Sequence, residues 1–201
     1  MTTELPIQTE TARSKILGIA AQEIFVHGFQ SASISEILRK AEVSKGCFYH
    51  HFPTKQSLGI AVLEESYIDK VKQIWEPIFS SENPLAALIH LFQYGFKSVD
   101  CEKIKLGCPI NNLAQEMSPI DNRFRQRLEF IYQVWKQRLT KTLKKAQDKG
   151  YMRNDVDPKA IATLTIATTQ GAIGIAKNSQ QAGSFTEYTQ GLVDYLISLQ
   201  T

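Results

Sequence analysis

Residues 33–55, SISEILRKAEVSKGCFYHHFPTK, decide the fold. In the first half Ser33 and Glu36 have the S-x-x-E spacing of a capping box, while Ile34, Ile37, Leu38 and Ala41 fall at i, i+3, i+4 and i+7 on one helix face. Ser44 is placed to cap a second short helix from Lys45 to about His50. Two short helices around a turn of this length form a helix-turn-helix pattern. The second helix has an odd composition. Phe48 and Phe52 are its core anchors, and Lys45, Gly46, Cys47, Tyr49, His50 and His51 crowd the rest. Gly46 costs about 1 kcal/mol relative to alanine inside a helix, so its bare backbone points to a close neighbour from outside, for which a phosphate chain is suited. Ser33, Ser44, Lys45, Gly46, Cys47, Tyr49, His50, His51 and Lys55 form the candidate DNA-binding set, supplying donors to phosphate oxygens and base edges.

The same residues carry a family resemblance. G-F-x(3)-S-I-S-E-I at residues 28–37 and A-E-V-S-K-G-C-F-Y-H-H-F-P-T-K-Q-S-L at residues 41–58 resemble the amino-terminal DNA-binding domain of TetR-family transcriptional regulators, over about residues 16–63. Glu42 departs from the pattern, since the family usually has glycine in the turn. In a left-handed conformation Glu42 costs roughly 1–2 kcal/mol more than glycine.

Outward from this stretch, a chain of 201 residues with 43% hydrophobic content has enough material for a buried core and for a small domain beside a larger one. The first fifteen residues carry no apolar segment of signal-peptide type, which predicts a cytoplasmic protein. Three cysteines without zinc spacing fit reduced thiols, and Cys47, His50 and His51 do not share a face with a fourth ligand, so no metal or cofactor is expected. The net charge of +3 does not by itself identify a nucleic-acid binder. Between residues 39 and 55 four basic residues face one acid, Glu42, but residues 123–149 are more basic still, with nine against Glu129 and Asp148. Charge alone therefore favours the second segment, whose pattern is that of a long helix with a solvated face.

The remaining pattern is helical throughout. The spacing predicts a first helix near residues 11–26 stopped by Gly28, a long helix from Thr54 to Phe79, and helices opened at Pro84, Pro109, Ser118–Pro119 and Pro158. A second capping box, Ser184 and Glu187, is expected to open the last helix. The fold class is all-α, about nine helices: a three-helix helix-turn-helix domain at residues 1–52, then a helical effector-binding and dimerisation domain at residues 53–201.

Between Lys159 and Lys177 the chain carries no charge, yet its threonines and glycines suit neither hydrocarbon nor water on all sides. Paired with the last helix it predicts a four-helix interface shared with a second copy through Thr165, Thr169, Gly171, Gly174, Tyr188, Leu192, Tyr195 and Leu196. In the family it resembles, the last two long helices form the dimer bundle.

Phe92, Phe96, Cys108, Asn111, Asn112, Gln115, Tyr132 and Trp135 combine polar groups with aromatics and are the candidate effector pocket. Cys108 stands at a helix N-cap, where the dipole favours a reactive thiolate. The segment GCPINNLAQEM, residues 107–117, resembles a TetR subgroup in which such a cysteine senses electrophiles or oxidants, with Cys101 as a resolving partner. The alternative is a small buried hydrophobe. The resemblance implies a homodimeric repressor that binds a roughly palindromic double-stranded operator, is released by an unidentified small molecule, and needs no membrane. A Cys108-dependent thiol enzyme and an adaptor without DNA affinity are the rival readings.

Overall fold

The structure, a computed structural model, describes residues 11–95 and 105–201. Its elements are α1 (Ala12–His27), α2 (Ile34–Ala41), α3 (Lys45–His51), α4 (Lys55–Val62), a π-helical turn (Leu63–Tyr67) and α5 (Ile68–Ser80). They are followed by α6 (Pro84–Gln93), α7 (Pro109–Met117), α8 (Asn122–Asp148), α9 (Pro158–Ser179) and α10 (Ala182–Ser198). Taking 55–80 as one run gives nine helices among the described residues. Two compact units result, Met1–Asp69 and Lys70–Thr201. The expected division at 52/53 followed the helix-turn-helix alone. By packing, α4 and the π turn belong with the first unit, because Leu58, Val62, Leu63 and Tyr67 are buried and the Tyr67 hydroxyl donates to the Ala21 carbonyl at 2.8 Å.

In the first unit Ile16, Ile24, Phe29, Ile37, Phe48 and Phe52 are buried, whereas Phe25, Leu38 and Val43 are half-buried. Thr11 caps α1 by accepting from Ser14 N, and Gly28 ends it at φ 83°. α2 departs from expectation at its start. Ser33 occupies the N-cap position, but its side chain makes no cap bond. Glu36 turns instead to Arg39 at 2.6 Å and Lys40 at 3.6 Å, because cations three and four residues on compete successfully for the carboxylate. Glu42 is left-handed, with φ 55° and ψ 41°. The Val43 N–H then reaches back to the Leu38 carbonyl at 3.2 Å, the 6→1 bond of a Schellman cap. Ser44 caps α3 by accepting from Cys47 N, and Thr54 with Ser57 forms a complete capping box on α4.

The second unit encloses one core. Trp75, Leu85, Leu88, Phe92, Trp135, Leu139, Leu143, Phe185, Leu192 and Leu196 belong to it, with the Phe92 and Phe185 rings stacked at 6.4 Å and Trp75 edge-on to Trp135 at 4.8 Å. Two helix starts differ from the sequence expectation. α8 begins at Asn122, capped by Asp121, because Ser118 is still helical and the Asp121 carboxylate accepts from Arg123 N. α10 begins at Ala182 rather than at a Ser184–Glu187 box, and the Ser184 hydroxyl pairs with that of Ser179 at 2.9 Å. Gly150, at φ 74°, ends the α8 turn, and Asp157 caps α9. Among the described residues no helix is long and apolar enough to cross a membrane.

The strain at Glu42 can be measured. Glu42→Gly should raise the unfolding free energy of the first unit by about 1 kcal/mol, read as a shift in denaturant midpoint without a change of slope.

Candidate functional site

α3 is short because Phe48, fully buried, must sit against α1 while the chain turns at Glu42 and again at Pro53. This fixes which residues point outward. Lys45 and Tyr49, and Gly46 and His50, are i, i+4 pairs on adjacent rows, and all four are exposed, as are Ser33 and Ser44. Cys47 and His51 are half-buried, the latter ring edge-on to His50 at 5.1 Å. A Cβ on Gly46 would meet, among the described residues, nothing nearer than Ser44 Oγ at 3.9 Å. The glycine therefore answers no packing need visible inside the chain. Lys55 was expected to seek an anion at the start of α4. Its ammonium donates to the Gln30 carbonyl at 2.8 Å and lies over the Phe29 ring at 5.1 Å, so contacts within the chain engage part of its donor capacity.

In the second unit a groove of about 360 Å³ lies between α7, α8 and α9. Asn111, Gln115 and Tyr132 of the expected pocket line it, together with residues that sequence reading missed: Glu129, Gln133 and Lys136 on α8, and Thr163, Ile166, Ala167 and Gln170 on α9. For the α9 residues the one signal was that helix's uncharged polar run, which reads equally as interface. Cys108 adjoins the groove close to Gln170, whose amide favours the thiolate form. Asn112 is turned elsewhere, donating to the Leu106 carbonyl at 2.8 Å and accepting from Lys177 at 3.2 Å. Phe92 belongs to the core and to a separate cleft of about 190 Å³ beside Thr189, and Trp135 is buried with its ring stacked on Tyr132 at 6.3 Å. Phe96 and Cys101 lie outside the described residues.

The electrostatics reverse one expectation. Burial pushes the Cys108 thiol above its ordinary value, outweighing the N–H groups of Asn111 and Ile110 and the Gln170 amide that pull it down. Desolvation thus defeats the helix end, and the resting group is a thiol rather than the predicted thiolate. Burial raises the Tyr132 phenol strongly as well, so it stays a proton donor. Gln170 Oε1 and Trp135 Nε1 are buried without a hydrogen-bond partner among the described residues, each a deficit of about 1–3 kcal/mol.

The interface residues also divide. Thr165 and Thr169 are buried by the chain itself, their hydroxyls donating to the Ile161 and Thr165 carbonyls at 2.8 and 2.6 Å, and Leu192 and Leu196 lie in the core. They are corrected to core positions. Tyr188 and Tyr195 are exposed, as are Gly171 and Gly174. Leu164, Gly171 and Ile175 make one exposed stripe of α9, and Tyr188, Gly191 and Tyr195 make one of α10, on two helices packed together. On the basic segment of α8 and its C-cap, Arg123 pairs with Asp121 at 2.9 Å, Arg138 with Glu76 at 3.0 Å, Lys144 with Asp148 at 3.0 Å and Lys149 with Glu82 at 2.5 Å.

Comparison with known proteins decides the family. Residues 16–62 match the model of bacterial regulatory proteins of the tetR family, and residues 84–192 match the tetracyclin repressor-like C-terminal domain. The chain belongs to the TetR family. Its function is DNA-binding transcriptional regulation. It is 30% identical over 162 residues to the HTH-type transcriptional repressor DhaR of Mycobacterium sp. (strain GP1), covering 80% of each chain. It is 30% identical over 168 residues to the transcriptional regulator AcuR of Cereibacter sphaeroides, covering 83% of this TetR-family chain and 76% of that protein. The crystal structure of a regulatory protein TetR from Rhodobacter sphaeroides superposes with a TM-score of 0.79 at 26% identity, covering 91% of this chain and 97% of that one.

Because burial raises Cys108, any stability it lends is present below the free-thiol value of 9.0 and lost as pH rises through the higher folded value. At neutral pH, iodoacetamide should label Cys108 more slowly in the native chain than in the unfolded chain, and the native rate should still climb above pH 9.0, followed by peptide mass spectrometry.

Proposed function

We propose that this regulator is a cytoplasmic homodimeric repressor that sets α3 of each subunit in successive major grooves of a roughly palindromic operator and is released when a small molecule occupies the α7–α8–α9 groove. The observation that carries the DNA contact is the outward face of α3. Lys45, Tyr49 and His50 offer donors there, around a glycine with no packing requirement inside the described chain. Half-sites are then about 34 Å apart, or a multiple of that. Ser33 and Ser44 flank the face and are suited to phosphate, whereas Cys47 and His51 sit at its edge and Lys55 acts chiefly as a tether for the α1–α2 loop.

The exposed stripe of Leu164, Gly171, Ile175, Tyr188, Gly191 and Tyr195 supports the dimer, since large apolar side chains around bare glycine backbone invite a closely packed copy. Release by modification of Cys108 acts on the same groove wall. Burial of the thiol favours non-covalent occupancy, and it weighs equally against a thiol enzyme, which needs a lowered rather than a raised nucleophile.

In mobility shifts on DNA upstream of its own gene, Lys45→Ala should weaken binding and reduce the magnitude of the salt slope by about 1. Gly46→Ala should weaken binding while stabilising the fold by up to about 1 kcal/mol, so that the two effects have opposite signs. Absence of a shift at every salt concentration would remove the operator reading. Leu164→Glu with Tyr195→Glu should convert dimers to folded monomers in analytical ultracentrifugation. An unchanged dimer would place the interface elsewhere.

A further inference from the structure

The last turn of α3 carries two titratable rings side by side. His50 is exposed and His51 half-buried, and their imidazole centroids lie 5.1 Å apart in an edge-on arrangement, with the Phe52 ring 6.5 Å from that of His51. Both stand where the negative end of a helix favours a cation. Imidazole is the side chain whose charge changes between about pH 5 and 8, so α3 holds an adjustable part of the first unit's charge.

Much of the fixed charge around it is already engaged. On α2, Arg39 forks onto Glu36 at 2.6 and 2.9 Å, and Lys40 donates to Glu23 of α1 at 2.8 Å. Arg13 of α1 lies 5.3 Å over the Phe52 ring and is held by Glu65 at 2.6 Å, and Lys55 of α4 donates to the Gln30 carbonyl. The other charged or titratable groups on α3, on the turn before it and on α1, which packs against it, are Lys45, Cys47, Tyr49, Glu42, Lys15 and His27. Among the described residues no acid forms an ion pair with either imidazole; Glu23, Glu36 and Glu65 are taken by Lys40, Arg39 and Arg13.

Two imidazolium rings this close repel each other. Each lowers its neighbour's hold on a second proton unless an anion sits beside both. A DNA backbone supplies that anion at every nucleotide.

We propose that His50 and His51 take up protons together as α3 meets a backbone phosphate, so that pH sets the affinity for the operator. The protonated pair adds two charges to residues 33–55, where four basic side chains stand against Glu36 and Glu42. The bound phosphate holds these protons to a higher pH than the free chain does. The extra affinity is therefore complete below the imidazole range of the free chain and is lost as pH rises through that of the complex. The inference rests on the reading of α3 as the DNA-binding helix and adds proton concentration as a regulator of its grip.

The test is an anisotropy titration of the full chain on DNA upstream of its own gene, at about pH 6 and about pH 8 and constant ionic strength. Wild-type affinity should fall at least about tenfold across that interval, the factor supplied by one unit of pKa difference between free and bound states. The salt slope should be steeper at the lower pH by about 1 for each histidine that meets a phosphate. His50→Gln with His51→Gln should bind equally at both pH values, no more tightly than wild type at the higher one. His27→Gln, an exposed change on α1, should keep the wild-type profile. Each single glutamine variant at 50 or 51 should flatten the profile and serves if the double variant misfolds. Wild-type affinity independent of pH, a wild-type profile in the folded double or single variants, or a profile lost in His27→Gln overturns the proposal. No complex at either pH removes the operator reading of α3 and this inference with it.

Discussion

The hydrogen bond from the Val43 N–H to the Leu38 carbonyl, made possible by a left-handed Glu42, is the constraint on which the first unit depends. It ends α2 and launches α3, whose Phe48 is fully buried. Once Phe48 is inside, the spacing of a short helix leaves Lys45, Gly46, Tyr49 and His50 no direction but outward. The cost of a left-handed glutamate, roughly 1–2 kcal/mol, is outweighed by the burial of such side chains at about 1.5–3 kcal/mol each. The turn tolerates a poor residue because the core behind it is good.

In the second unit the corresponding constraint is α9. A helix without charge between its terminal lysines has to bury most of its surface, and its threonines meet that requirement by bonding their hydroxyls to carbonyls one turn back. This frees Thr165 and Thr169 from needing partners and lets them lie inside the chain. The groove side of the same helix is different. Gln170 is too long to satisfy itself, and its Oε1 is buried without a partner among the described residues. One helix thus contributes core, an exposed stripe and a polar groove wall.

Much of this was legible in the residues. The helix starts at Pro84, Pro109 and Pro158, the stop at Gly28, the Thr54 cap and the choice of Phe48 and Phe52 as anchors follow from local chemistry that neighbours in space do not alter. The Ser33 and Ser184 boxes were not. There a second partner, a cation on α2 or the Ser179 hydroxyl, competed for the same atoms, and spacing does not rank competitors.

What the sequence by itself determined is the class of protein: an all-helical chain with a helix-turn-helix whose exposed residues are donors and a bare glycine, because periodicity and capping are properties of neighbours along the chain. Tertiary structure decided the state of each site. It tied Lys55 to a carbonyl and a ring, drew Thr165, Thr169, Leu192 and Leu196 into the core, and brought Gln170 to Cys108 across 62 residues of sequence. It also packed enough protein around the half-buried Cys108 for desolvation to outweigh the effect of its helix end. Desolvation and pairing depend on what surrounds an atom in three dimensions, and that information is not carried by spacing along the chain.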